Sequence, residues 1–171
     1  MVVLLHNIRS LHNVGSIFRT ADAAGVEKIY LCGITPSPLD QFGKPRPQLT
    51  KVSLGAEKYV PWDASARSAR ATIKLLEKLK KEKYKIFAIE QSKKSIPYFK
   101  IQSYEVQLRK IGLVVGNEIK GLPPSILKKA DKILEIPMRG KKESLNVAVA
   151  FGIIVFFLNS IWYNTKIIKG R

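Results

Sequence analysis

Three short stretches place polar residues beside apolar runs, in types that can do chemistry. Asn13, Gly15 and Arg19 stand in NVGSIFR, residues 13 to 19. Gly116, Asn117, Glu118 and Gly121 stand in VVGNEIKGL, residues 114 to 122. Met138, Gly140, Ser144, Leu145 and Asn146 stand in IPMRGKKESLNVAVAFG, residues 136 to 152. Arginine is a permanent, planar cation suited to phosphate. A carboxylate at the end of an apolar strand needs a partner, so Glu118 is expected to orient Arg19 or to receive a substrate hydrogen bond. Asn146 is a poor helix former inside an apolar run, and its buried amide asks for a specific hydrogen bond, to a loop or a ligand. Met138 and Leu145 suit the face of a flat heteroaromatic ring, with the backbone of 136–140 reading its edge. Plainer roles stand beside these. Asn13 and Ser144 are helix N-cap residue types, Gly15 permits close backbone approach, and Gly116 and Gly121 fit turn geometry. VVGNEIKGL is neither a dinucleotide fingerprint nor a P-loop.

The elements that must position these residues follow from periodicity. VVLLHN (2–7) and VEKIYLCG (26–33) read as strands around a helix from Asn13 to Ala24 closed by Gly25, a βαβ unit. KIFAIEQ (85–91), IGLVVG (111–116) and KILEIP (132–137) are further strands. Ala69, Ile73, Leu76 and Leu79 share one face of a helix in which Glu77 and Lys81 sit four apart. A last long helix starts near Ser144. Residues 34–53 carry four prolines and read as a long loop, and SLGAEKYVPW (53–62) takes no firm assignment. The pattern predicts an α/β fold, a mainly parallel sheet with flanking helices. Such sheets bind ligands beyond the carboxyl ends of their strands, where 116–121 and 138–146 fall.

A chain of 171 residues suits one domain, taken as residues 1–165 with a short basic tail at 166–171. Its 30 Lys and Arg against 13 Asp and Glu give a formal net charge of +17. Residues 1–50 hold only five basic and three acidic side chains, so nearly all the excess lies beyond them. Such a field favours a polyanion, and the lysines from Lys74 to Lys85 with Lys93, Lys94 and Lys100 suit nucleic-acid phosphates or a solvated helix face. Cys32 is the single cysteine, which forbids an internal disulfide and fits a reducing compartment. One cysteine and two scattered histidines do not make a zinc site. The N-terminus lacks the basic start of a signal peptide, so a cytoplasmic location is expected. VAVAFGIIVFFL (147–158) has twelve residues before Asn159, short for a bilayer, and is expected to be a buried helix or a subunit interface.

Taken together and in order, the three stretches resemble the motifs of the SpoU/TrmH family of RNA 2′-O-methyltransferases in the SPOUT superfamily. NVGSIFRTADAAG resembles the first, VVGNEIKGL the second and IPMRGKKESLNVAVA the third, and SLGAEKYVPW is similar to a segment of smaller members. The resemblance spans most of the chain. It implies an α/β domain with a deep trefoil knot near the C-terminus and S-adenosylmethionine as methyl donor. The donor would lie against Val115, Gly116, Asn117, Ile136, Met138, Gly140, Ser144 and Leu145. It implies ribose 2′-OH methylation of tRNA or rRNA, with no metal, and a homodimer in which the arginine matching Arg19 acts at the partner subunit's cofactor. Arg19, Asn13, Glu118, Ser144 and Asn146 are then the candidate catalytic residues. Arg19 is expected to stabilise charge rather than act as a base, because guanidinium stays protonated. Small members lack the N-terminal RNA-binding domain of larger ones, and none is expected before Val2. The alternatives are a non-enzymatic basic RNA-binding protein on the same fold and a SPOUT enzyme that methylates a base.

Overall fold

In the computed structural model, residues 1–106 and 110–169 are described, without the side chains from residue 165 onward. The basic tail at 166–171 therefore lies outside the described side chains. Seven strands form one sheet: β1 (Val2–His6), β2 (Lys28–Cys32), β3 (Trp62–Asp63), β4 (Lys85–Ile89), β5 (Ile96–Pro97), β6 (Ile111–Val115) and β7 (Lys132–Glu135). Their order is β3-β2-β1-β6-β4-β7-β5, and every ladder is parallel. β6 is one of the last strands in the chain, yet it sits between β1 and β4. The apolar runs of β1 and β6 are buried at every position, as strands covered on both faces must be.

The two faces divide by the strand period of two. Val3, Leu5, Leu113 and Val115 face α1 (Leu11–Ala23) and α6 (Val147–Lys169), meeting Ile17, Phe18, Phe151 and Ile154. Val2, Leu4, Ile86 and Val114 face α3 (Ala69–Lys81) and α5 (Pro124–Leu127), meeting Leu76, Leu79 and Ile126. Two further short helices, α2 (Pro47–Ser53) and α4 (Ser103–Val106), lie between these elements in the chain.

Several local expectations change. α1 starts at Leu11, and its N-cap is Ser10, whose side chain accepts the Asn13 N–H; Asn13 is inside the helix. The expected loop 34–53 ends in α2, where Pro47 takes the first-turn position that needs no amide hydrogen. The segment 53–62 becomes the end of α2, a 3-10 turn at Ala56–Lys58 and the start of β3. On α3 the buried positions are Thr72, Leu76 and Leu79, while Ala69 is exposed. Glu77 pairs with Lys129 across a gap of 2.6 Å, a tertiary contact in place of the expected pair with Lys81.

The last helix starts at Val147 rather than near Ser144, and its cap is Asn146. The Asn146 carbonyl accepts from Ala150 N, and its side-chain oxygen accepts from Ala148 N at 2.8 Å. With 23 residues, α6 contains an 18-residue window, Val147–Asn164, long and apolar enough to cross a membrane by length and composition. The twelve-residue run therefore understated it. Packing assigns the inner face to the core: Phe151, Ile154, Val155 and Leu158 are fully buried. Asn159 donates from its side chain to the Ala24 carbonyl at 2.7 Å. Val149, Phe156 and Tyr163 leave an apolar face open.

Candidate active site

The three polar stretches converge at the carboxyl ends of β1, β6 and β7. α1 follows β1 after a short loop, and the loop after β6 reaches across to the start of α1. There the Glu118 carboxylate accepts from the Arg9 and Ser10 amides at 3.1–3.2 Å and from the Asn13 side-chain amide at 3.0 Å. Asn13 accepts in turn from the Asn146 side-chain amide at 3.0 Å. Asn146 closes the line by capping α6. A continuous polar relay, Glu118–Asn13–Asn146, thus ties β6, α1 and α6 together. Asn146 finds a side-chain partner in Asn13, although the residue is exposed rather than buried as expected.

Burial alone would raise the Glu118 pKa. Hydrogen bonds from Asn13 and from the backbone amides of Glu118, Arg9 and Ser10 outweigh it and hold the carboxyl below its ordinary value. Glu118 is an ionised clamp at the start of α1, where a negative charge is also favoured by the helix dipole. Within this chain it makes no hydrogen bond to Arg19.

The loop after β6 is shaped by its own residues. The Asn117 side chain donates to the Asn7 carbonyl at 2.7 Å and accepts from the Ile119 and Lys120 amides. Gly121 has φ +62, and a Cβ there would lie 2.2 Å from the Glu90 carboxylate. That carboxylate accepts from Leu122 N at 2.6 Å. A Cβ on Gly116 would meet the Gly121 carbonyl carbon at 2.7 Å, so the two glycines let the loop fold back on itself. Gly15 serves packing, since its Cβ would lie 2.6 Å from the Leu49 carbonyl on α2.

A cavity of about 200 Å³ lies beneath this loop. Of the residues expected to hold a cofactor, Val115, Gly116, Asn117, Ile136, Met138, Ser144 and Leu145 line it. Gly140 does not: it is exposed, with open space beside it. Sequence reasoning missed Ile89, Glu90 and Gln91 at the end of β4, and Glu135 on β7. The rule that ligands sit at carboxyl ends would have found the first three, because KIFAIEQ already read as a strand.

Arg19 lines a different cleft, of about 820 Å³, with Arg9, His12 and Lys51 between α1 and α2. It is exposed and makes no hydrogen bond or ion pair among the described residues. The relay residues and Ser144 gather at or beside the cavity; within this chain Arg19 is not brought into it. Among the described residues, no group of three His, Cys, Asp or Glu side chains is placed to hold a metal ion.

Residues 1–156 match the SpoU rRNA methylase family. The chain belongs to that family. All three motif stretches lie inside the match. A tRNA (guanosine(18)-2′-O)-methyltransferase of Aquifex aeolicus is 33% identical over 156 residues, covering 91% of this chain and 67% of the relative. The solved structure of the A. aeolicus TrmH/SpoU tRNA modifying enzyme superposes with a TM-score of 0.78 at 31% identity, over 96% of this chain and 76% of that one. An AdoMet-bound rRNA methyltransferase from Sinorhizobium meliloti superposes with a TM-score of 0.71 at 28% identity, over 93% of this chain and 55% of that one. The chain spans 57% of the length of several curated rRNA-modifying relatives it matches. The parallel sheet described above is therefore the fold of a SpoU-family chain.

Proposed function

We propose that this SpoU-family chain transfers a methyl group from S-adenosylmethionine to a ribose 2′-hydroxyl of tRNA or rRNA, in the cytoplasm and as a homodimer. The observation that carries the reading is the Glu118–Asn13–Asn146 relay beside a cavity walled by the carboxyl ends of β4, β6 and β7. The cavity suits the donor chemically. Ile89, Val115, Ile136 and Leu145 offer apolar walls for a purine, and the loop backbones offer amide and carbonyl groups for its edge. At about 200 Å³ it is smaller than the roughly 300–1,000 Å³ of sites for drug-sized ligands. It would hold part of the donor, with the surrounding loops holding the rest. Bound there, S-adenosylmethionine supplies the electrophilic methyl group.

The protein's own work is alignment and charge. Glu118 is engaged by amide donors and held ionised, which suits a clamp that fixes α1 against the second motif. Asn13 and Asn146 carry that alignment to the third motif, while Ser144 and Leu145 wall the donor. Arg19, in a basic cleft with Arg9 and Lys51, grips an RNA phosphate and steadies charge developing on the ribose oxygen. The homodimer supplies what one chain lacks, because a second copy can bring Arg19 to the donor cavity. The open apolar face of α6 supports such a contact. RNA is the substrate class because only RNA offers the 2′-hydroxyl. We also propose that the family's C-terminal knot and a single catalytic unit at 1–165 apply to this chain.

Incubation with labelled S-adenosylmethionine and total tRNA or rRNA tests the reading, followed by mapping of ribose-methylated positions. Incorporation into neither pool overturns it. Arg19→Ala is expected to lower methyl transfer at least about 100-fold, as loss of a charge-stabilising group does, with the thermal midpoint unchanged because Arg19 has no hydrogen-bond or ion-pair partner among the described residues. Full activity in Arg19→Ala would remove Arg19 from the chemistry.

A further inference from the structure

The donor cavity differs in charge from the rest of the molecule. Although 30 basic side chains face 13 acidic ones in the sequence, no Lys or Arg lines this cavity and three carboxylates do: Glu90, Glu118 and Glu135. Elsewhere, six of the ten other acidic groups are in ion pairs to Lys or to the N-terminus: Glu27, Asp63, Glu77, Glu82, Glu105 and Asp131. Among the described residues none of the three cavity carboxylates is in such a pair. Glu90 is held by the Leu122 and Gln91 amides at 2.6 and 3.0 Å, and Glu135 by the Ser95 hydroxyl at 2.6 Å. Neutral donors fix a carboxylate in place and leave its charge uncompensated.

The basic residues nearby stand outside. Lys120, Arg139, Lys141 and Lys142 are exposed and none lines the cavity. The loop that carries the last three is tied back to the end of β4, where Gln91 donates from its side chain to the Glu143 carbonyl at 2.6 Å. Charge is thus sorted, positive at the rim and negative within. Uncompensated carboxylates in a site of reduced dielectric favour a cation and disfavour an anion.

Resting on the methyl-transfer reading, we infer that Glu90 and Glu135 make the cavity select its ligand by sulfonium charge. The donor carries a sulfonium, an ammonium and a carboxylate, one net positive charge. In the transfer the S–CH₃ bond breaks with its electron pair left on sulfur. The methyl joins the 2′-oxygen, and the hydroxyl proton leaves to solvent. The thioether product has no net charge, so the reaction itself weakens the cavity's hold and favours release. The same carboxylates keep RNA phosphates at the basic rim and out of the donor cavity.

Calorimetric titration of S-adenosylmethionine and S-adenosylhomocysteine into the wild-type chain, Glu90→Gln and Glu135→Gln reads this directly. Glutamine keeps a carbonyl acceptor for the Leu122 N–H or the Ser95 hydroxyl, so a purely structural role predicts equal changes for both ligands. Charge selection predicts that each substitution lowers the donor-to-product affinity ratio about tenfold, chiefly through the donor. Rising salt should likewise weaken donor binding by wild type more than product binding. That wild-type measurement decides the matter even where a variant does not fold. An unchanged ratio in the folded variants, or equal salt dependence for both ligands, overturns the inference alone. A wild-type chain that binds neither ligand overturns the methyl-transfer reading and this inference with it.

Discussion

Glu118 shows how much one side chain can do without meeting a substrate. Its carboxylate is shared among the Asn13 side chain, its own backbone amide and the Arg9 and Ser10 amides before α1, and that sharing holds its pKa down. A depressed carboxyl contributes stability that is fully present above its unfolded value, roughly 4.3, and is lost as pH falls through the lower folded value. Glu118→Gln should therefore be less stable than wild type at neutral pH. The gap should close as the solution is acidified through that window, read from urea midpoints at successive pH values. A gap constant down to pH ~2 would remove the ionised clamp. The sequence already signalled that Glu118 and Asn146 needed partners, because each polar group stands in or at the end of an apolar run. It could not say which, since Asn13 lies 105 residues from Glu118 and 133 from Asn146. Residue type pointed to Ser144 as the cap of the last helix, whereas the cap is Asn146, which also bonds Asn13.

At the scale of elements, the long apolar strands and α3 were legible because period and burial agree there. β3 and β5 were not, because two residues carry no period. Within the cavity, the missed contributors at the end of β4 were open to the carboxyl-end rule, while Glu135 on β7 looks like an ordinary strand residue until the sheet order is known. The loop after β6 depends on backbone geometry more than on side chains. Gly121→Ala would place a side chain at φ +62 and drive it into Glu90. The expected cost is about 1–3 kcal/mol of stability, with weaker S-adenosylmethionine binding by calorimetry. A variant as stable and as tight as wild type would show that the loop can re-form without the left-handed turn.

For the whole molecule, two surfaces carry the expectations. A charge of +17 predicts RNA affinity that falls steeply with salt, independent of which nucleotide is modified. The outer face of α6 is apolar where the proposed second copy would sit, and Phe156 is 49% exposed on it. Phe156→Glu should shift sedimentation toward the monomer and lower methyl transfer, while the core, which Phe156 does not enter, keeps its thermal midpoint. A chain that sediments as a monomer before substitution would remove the two-copy site. The membrane-length window in α6 fits the same proposal: a helix is apolar all round when one face meets its own core and the other would meet a second copy. The placement of β6 carries a consequence for synthesis. Translation delivers β1 through β4 before residue 111 exists, so the emerging polypeptide has a vacant slot between β1 and β4, with two bare rows of amides and carbonyls facing it. Until the ribosome has released Ile111–Val115, those rows are open to any passing strand, and chaperone dependence should peak in that interval.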